Sequence, residues 1–150
     1  MTIRRQAGFT LMELMIVLTI LGILLAVGLP NYQNSVRRST RADAQATLME
    51  LGQAMERRYS LNYNYDGAAD GDGAPLPEVF VSQAPTEGQP FYNLTIDVPE
   101  GGQAYTLRAT PIAGSRQDGD GLIELTSLGT RRWDRDNDGA FSAAEQTWER

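Results

Sequence analysis

The sequence contains no cysteine, no histidine and no lysine, and all 13 basic residues are arginine. Without histidine the chain lacks the commonest general base and the usual zinc ligand. Without cysteine it cannot form a disulfide or a thiolate nucleophile. It also has neither a phosphate-binding glycine loop nor a nucleophile elbow. Composition therefore predicts that this protein is not an enzyme.

The length and charge of the chain limit its number of domains and its possible partners. The chain has 150 residues with 41% hydrophobic content, which is enough for one small globular domain beside an N-terminal helix. It carries 19 acidic residues against the 13 arginines, so its net charge is −6. The arginines are scattered along the sequence, and an acidic chain without a basic patch is not expected to bind nucleic acid directly.

The N-terminal 30 residues carry the clearest signal. A short head with Arg4 and Arg5 ends at Gly8, and an apolar run follows from Phe9 to Leu29. At about 1.5 Å per residue, this run forms a helix about 30 Å long, which can cross a bilayer core. Glu13 interrupts the run, and a carboxylate there costs roughly 2.5–3.5 kcal/mol on insertion scales. Glu13 therefore needs a partner, which indicates assembly.

This stretch resembles the type IV pilin family, which includes the pseudopilins of type II secretion. The family pattern is a short basic leader that ends in glycine, then Phe-Thr-Leu-x-Glu and an apolar helix. The matching residues are Gly8, Phe9, Thr10, Leu11, Glu13, Leu14, Gly22 and Pro30.

The resemblance implies a prepilin that a membrane-embedded prepilin peptidase cuts between Gly8 and Phe9, with methylation of the new Phe9 amine. It implies that Glu13 helps to dock subunits into a filament, and that the helix can melt between Gly22 and Pro30. The implied partners are other pilin subunits, the peptidase and an inner-membrane assembly platform. The protein would cross the inner membrane once before assembly and lie in an extracellular pilus afterwards.

Two plainer interpretations compete for the same residues. A secretory signal peptide has an apolar region of about 7–15 residues and is cut after it. A simple single-span anchor needs only an apolar helix. Neither explains Gly8-Phe9 or Glu13.

The rest of the chain predicts an α+β fold in which a long N-terminal helix packs on a small antiparallel β-meander. We expect a leader (1–8), an apolar helix (9–30), an amphipathic continuation (31–59) and a globular head (60–150). Proline at position 30 should bend the helix without ending it. The helix is predicted to bury an apolar stripe formed by Ala44, Leu48, Leu51 and Met55. Strands are predicted at Phe91–Val98, Tyr105–Ile112 and Leu122–Trp133.

Residues 134–145 match the loop of an EF-hand, with oxygen ligands at positions 1, 3, 5, 9 and 12 and glycine at position 6. The calcium ligands would be Asp134, Asp136, Asp138, the Ala140 carbonyl, Ser142 and Glu145. The alternative is an Asp-rich turn before a short helix capped by Ser142. An EF-hand needs a helix before the loop, whereas the preceding run is predicted as a strand. The segment would therefore be an isolated calcium-binding loop. Calcium would then take the place of the C-terminal disulfide that many type IV pilins have.

These observations favour a structural subunit of a type IV pilus, a minor pilin, and leave a type II secretion pseudopilin as the alternative. A membrane-anchored calcium sensor is disfavoured, because the loop lacks an entry helix. The sequence does not separate a major from a minor pilin, nor adhesion, twitching motility and DNA uptake from one another.

Overall fold

The computed structural model describes residues 9–149, and one helix, α1 (Leu11–Asn62), accounts for 52 of them. Pro30 lies inside α1, as the sequence predicts, and does not end it. The helix ends three residues later than Tyr59, the predicted end. Tyr63 adopts a φ of 58° and donates its N–H to the Tyr59 carbonyl at 2.8 Å, which closes the last turn.

The described residues form two compact units, 9–36 and 37–149. The first unit contains only the N-terminal part of α1. The second, which we call the head, contains the rest of α1 and all the strands.

The head contains one five-stranded antiparallel sheet in the order β1-β2-β3-β4-β5, so each strand pairs with its neighbour in sequence. This is the predicted meander. A short 3-10 helix, Ala143–Glu145, follows the last strand. The strands are β1 (Gln83–Ala84), β2 (Tyr92–Asp97), β3 (Thr106–Pro111), β4 (Ile123–Thr126) and β5 (Arg131–Trp133).

The prediction of one strand over Leu122–Trp133 is wrong, because this run forms the hairpin of β4 and β5. Gly129 adopts a φ of 80° and donates its N–H to the Thr126 carbonyl at 2.9 Å. The sequence pattern did not reveal this turn, because Ser127 and Leu128 are also compatible with a strand. The chain reverses at Ser127 and Leu128, and Gly129 then adopts a positive φ that glycine tolerates without strain.

The core lies between α1 and one face of the sheet. The four predicted stripe residues of the helix are all buried, which confirms the amphipathic pattern. Full burial of such an apolar side chain is worth about 1.5–3 kcal/mol. Gly52 faces the sheet at an ordinary packing distance, since a Cβ there would lie 3.5 Å from Leu125 Cδ2. The strands contribute side chains at alternate positions: Tyr92, Leu94, Ile96, Leu107, Ala109, Ile123 and Leu125.

The loop between α1 and β1 completes the β1 edge of the sheet. Ile96 donates its N–H to the Gly73 carbonyl, and Leu94 donates to Ser82, each at 2.8 Å. Val79 and Phe80 pack against the core, as their apolar character predicts.

Candidate functional site

The apolar half of α1 is the first candidate site. Its side chains from Leu11 to Leu29 are exposed on the isolated chain, and the helix is long and apolar enough to cross a membrane. Exposed apolar surface of this extent is rare in soluble proteins and requires a bilayer or a protein partner.

The start of this helix is built by Thr10 and Glu13. The Thr10 hydroxyl accepts the Glu13 N–H at 3.2 Å, which caps the first turn of α1. Glu13 stands in that first turn, where an acidic side chain also complements the helix dipole. Phe9 is 83% exposed just before it. Gly8 and the rest of the leader lie outside the described residues.

The acidic C-terminal loop is the second candidate site. The carboxylates of Asp134, Asp136 and Asp138 each place one oxygen within 4.8 Å of the others. Asp134 is buried and accepts the N–H groups of Asp138 at 3.1 Å and Gly139 at 3.0 Å. The loop therefore wraps around its first aspartate, and its hard carboxylate oxygens are of the kind that Ca²⁺ prefers.

Glu145 closes the same loop without joining the aspartate cluster. Its buried carboxylate accepts the Arg135 N–H at 2.6 Å, and the N–H and hydroxyl of Ser142 at 2.9 and 2.7 Å. The Ser142 hydroxyl and these N–H groups lower the pKa of Glu145 to about 2. In contrast, desolvation and the carboxylates of Asp138 and Glu145 raise the pKa of Asp136. The neighbouring carboxylates therefore repel the charge on Asp136, and a bound cation would relieve that repulsion.

The chain beyond the loop is held on the β4–β5 hairpin, where Trp148 packs against the core. The Trp148 indole donates to the carbonyls of Glu124 and Arg132, both at 3.1 Å. The Glu124 carboxylate is 2% exposed and pairs with Arg108, at 3.0 Å, and with Arg132. Glu124 alternates with the core-facing Ile123 and Leu125, so β4 buries side chains on both of its faces.

Comparison with known proteins places the chain in a family. A family model described as "Type IV minor pilin ComP, DNA uptake sequence receptor" matches residues 30–121, which is more than half of the chain. The chain belongs to this minor pilin family. A second model, the prokaryotic N-terminal methylation motif, matches residues 3–29 of the pilin.

Individual relatives include pilins and a pseudopilin. Fimbrial protein EcpC of Eikenella corrodens is 36% identical over 81% of this chain and 83% of its own length. Prepilin peptidase-dependent protein D of Escherichia coli is 37% identical over 52% of this chain. Core protein G of the type II secretion system of Aeromonas hydrophila is 38% identical over 41%. The chain spans 56% and 42% of the length of the last two.

A buried polar network, which the sequence did not predict, ties the helix of this pilin to the sheet. Arg41 is only 8% exposed. Its guanidinium binds both oxygens of Asp120 at 2.7 Å and lies 3.6 Å from the Trp133 ring centroid. Tyr92 donates its hydroxyl to Asp120 at 2.8 Å, and Trp133 donates its indole N–H to the Asp120 carbonyl.

The same network reaches the acidic loop. Gly121 adopts a φ of 85°, and a Cβ at this position would overlap the carbonyl oxygen of Asp134. The Asp118–Gly121 segment thus carries the buried carboxylate that pairs with Arg41, and it lies against the first residue of the loop. The Asp-Gly-Asp-Gly sequence was the available signal, but it did not reveal which aspartate would be buried.

Proposed function

We propose that this chain is a structural subunit of a type IV pilus, a minor pilin, and not an enzyme. The observation that carries the proposal is the exposed apolar segment of α1, with Glu13 in its first turn, joined to a separate head. The match to the N-terminal methylation motif over residues 3–29 supports it. The domain division that we propose is the one expected from the sequence, with the leader at 1–8 and the apolar helix at 9–30.

The proposed path begins in the inner membrane, which the chain crosses once. A prepilin peptidase cuts between Gly8 and Phe9, the Phe9 amine is methylated, and the assembly platform passes the subunit into the filament. Cleavage also removes Arg4 and Arg5, which shifts the net charge from −6 to −8. Gly22 and Pro30 are poor helix formers and would let this segment loosen during packing.

Glu13 is proposed to pair with the Phe9 amine of a neighbouring subunit inside the apolar filament core. Removal of one partner from a buried ion pair typically costs about 3–5 kcal/mol, because the other charge remains unpaired. Glu13→Ala should therefore be inserted and cleaved normally but be depleted from sheared surface filaments. Glu50→Ala, on the exposed face of the helix within the head, is the matched control. Undiminished incorporation of Glu13→Ala would contradict this role.

Processing is tested by mass spectrometry of the mature protein. The proposal requires a chain that begins with N-methylated Phe9. A mature protein that keeps Met1, or one that starts after Gly28, would refute the prepilin assignment.

The C-terminal loop is proposed to bind Ca²⁺ through Asp134, Asp136, Asp138, the Ala140 carbonyl, Ser142 and Glu145. The three clustered aspartates support this, together with the match to the EF-hand spacing. For Glu145 to bind the ion with both oxygens, it must exchange its hydrogen bonds to Ser142 and Arg135. Bound calcium would offset two of the cluster's negative charges and fix the C-terminal segment that a disulfide holds in many type IV pilins.

A pseudopilin of a type II secretion system is the alternative, and the similarity to core protein G of Aeromonas hydrophila supports it. Deletion of the gene separates the two functions. Loss of surface filaments or twitching with normal protein secretion supports the pilus. Loss of secretion with intact filaments supports the pseudopilus.

DNA binding is a second candidate, favoured by the description of the matching family as a DNA uptake sequence receptor. The acidic composition predicts no direct binding. The structure nevertheless places the exposed Arg116, Arg131 and Arg135 over aromatic rings, at 3.8, 5.1 and 5.3 Å from their centroids. Binding of duplex DNA that weakens steeply from 50 to 200 mM salt, and that weakens in the triple arginine-to-alanine variant, would support this role. Its absence at 50 mM salt would exclude it.

A further inference from the structure

The end of the head where α1 enters it is basic, although the head as a whole is acidic. Residues 37–149 contain 10 arginines and 18 acidic residues, which gives a net charge of −8. Three arginines lie at the start of the head or in the segment between β3 and β4: Arg37, Arg38 and Arg116. We call these three side chains the basic surface. A cluster of positive charge on an acidic protein is a candidate site for an anionic partner.

Two hydrogen bonds hold the segment between β3 and β4 against the first residues of the head. The Arg37 guanidinium donates to the Asp118 carbonyl at 3.4 Å, and the Gln117 amide donates to the Arg37 carbonyl at 3.1 Å. Gln117 is fully buried, so this junction is part of the packed head. Arg116 precedes Gln117 in the sequence, and it therefore lies at the same end of the head as Arg37 and Arg38.

The guanidinium groups of the basic surface are not neutralised by the protein. Among the described residues, none of the three forms a salt bridge with a carboxylate. The guanidinium carbon of the exposed Arg116 lies 3.8 Å over the Phe91 ring, a contact that fixes the group and leaves its charge in place. The buried Arg41, one turn further along α1, differs because Asp120 pairs with it.

Two exposed carboxylates belong to the same segments, and only one of them lies at the basic surface. Asp118 is close to Arg37, and its carboxylate accepts the Gly114 N–H at 2.9 Å. Asp43 follows Arg38 by five residues, which places it about 7.5 Å further along α1 and about 140° around the helix axis. The basic surface therefore sets three positive charges against the single negative charge of Asp118.

The chain itself keeps the basic surface close to any bilayer that holds the apolar segment. Arg37 follows Leu29, the last residue of the apolar run, by eight positions. Eight helical residues span about 12 Å of chain, and the headgroup layer beside the hydrocarbon core is about 5–8 Å deep. The polar stretch between them includes Tyr32, which is 68% exposed and is of a residue type enriched at membrane–water interfaces.

We propose that the basic surface docks the head on the anionic phospholipid headgroups of the membrane that α1 crosses, before the subunit is assembled. Lipid phosphate oxygens accept the guanidinium N–H groups, whose planar fork suits phosphate. Electrostatic screening acts over about 8 Å at physiological salt, so the acidic groups at the far end of the head oppose this contact little. The inference rests on the proposed single crossing of the membrane, and it adds a position in which the subunit waits there.

Fluorescence quenching at the bilayer surface tests the docking. The full-length chain carries Ala113→Cys, an exposed position near Arg116, and a dye is attached there; labelling is specific because the native chain contains no cysteine. The labelled protein is reconstituted into liposomes that contain a headgroup quencher, made of phosphatidylcholine alone or of phosphatidylcholine with phosphatidylglycerol. We expect stronger quenching in the anionic liposomes, and loss of the difference in 1 M salt, where the Debye length falls to about 3 Å.

A second reporter controls for unspecific approach of the head to the membrane. Leu128→Cys places the dye at the tip of the β4–β5 hairpin, whose Arg131 contacts Met49, 12 residues beyond Arg37 on α1. This reporter should show little difference between the two lipid compositions. An equal anion-dependent increase at both reporters would overturn the proposal, because the head would then have no preferred surface.

Arginine variants identify the surface. The test variant replaces the three arginines of the basic surface: Arg37→Gln, Arg38→Gln and Arg116→Gln. The control variant makes the same change at three exposed arginines elsewhere on the head: Arg57→Gln, Arg131→Gln and Arg135→Gln. Each arginine near an anionic bilayer strengthens binding roughly fivefold, so the test variant should weaken docking by roughly a hundredfold. Arg38→Gln alone, at an exposed position, should weaken it by roughly fivefold without disturbing the fold.

Three results would refute the docking. Quenching that is the same in both liposomes would show that anionic lipid has no part in it. Equal losses from the test and control variants would show that total charge decides and the basic surface does not. Release of the head by inorganic phosphate at constant ionic strength would assign the arginines to a free anion instead of a bilayer.

Carbonate extraction of the same liposomes separates this inference from the proposed function. A chain that resists extraction but shows no anion-dependent quenching refutes the docking alone. A chain that carbonate removes refutes the proposed crossing of the membrane, and the docking fails with it.

Discussion

The pairing of Arg41 with Asp120 yields a prediction whose magnitude can be worked from the contacts. Asp120 is 7% exposed and accepts two hydrogen bonds from Arg41 at 2.7 Å and one from Tyr92 at 2.8 Å. Asp120→Ala leaves a buried guanidinium without its counter-charge, which typically costs about 3–5 kcal/mol. A domain of this size has about 5–15 kcal/mol of stability in total. The variant should therefore lose a large fraction of the free energy of unfolding.

The assay is urea unfolding of the full-length chain in a non-ionic detergent, followed by circular dichroism and by tryptophan fluorescence. Trp133 is a direct reporter, because its ring lies under Arg41 and its indole N–H binds the Asp120 carbonyl. Asp97→Ala is the matched control: Asp97 is exposed and lies 3.6 Å from Arg108, so its loss should cost about 0–1 kcal/mol.

A double variant tests the physical cause. Arg41→Met combined with Asp120→Leu removes both charges, so its loss of stability should be smaller than the sum of the two single losses by about 0.5–3 kcal/mol. Additive losses, or a loss below about 1 kcal/mol for Asp120→Ala, would refute the view that an unpaired buried charge dominates the cost.

Three further predictions concern other contacts of the head. Burial, and after it the neighbouring carboxylates of Asp120 and Glu56, raises the pKa of Tyr92 and Tyr105 and keeps both neutral in the folded state. Because both tyrosines ionise in the unfolded chain near their ordinary pKa, the free energy of unfolding should fall as pH rises above about 10. Replacing both with Phe should flatten that alkaline slope, and an unchanged slope would contradict the assignment. Gly121→Ala should lower the urea midpoint clearly more than Gly114→Ala, since both glycines have positive φ but only the Cβ at 121 meets the Asp134 carbonyl; equal effects would argue against this close approach. Calcium at a hundredfold excess over its Kd should stabilise the protein by about 2.7 kcal/mol, with a smaller effect of magnesium, and Asp136→Ala should reduce the shift while Asp72→Ala leaves it intact; melting that ignores calcium would leave the loop a polar turn.

The sequence by itself determined the helix and the family, because these depend on local pattern. The run from Phe9 to Leu29 is apolar whatever surrounds it, and the stripe at Ala44, Leu48, Leu51 and Met55 follows from the helical period. The alternation in β2 and β3 likewise predicted strands, since one buried face imposes a period of two. The loop spacing of residues 134–145 located the acidic cluster for the same reason.

Only the tertiary structure decided which polar groups are buried and what they contact. Nothing in the local sequence distinguishes Arg41 from Arg37 or Asp120 from Asp118. Arg41 and Asp120 are buried because α1 packs against the 118–121 turn, and the two residues are 79 positions apart in the sequence. The same holds for Glu124, whose buried carboxylate pairs with Arg108 of β3 and Arg132 of β5. A buried charge is tolerated only with a partner, and the partner comes from a distant part of the chain, so its identity is a property of the packed fold.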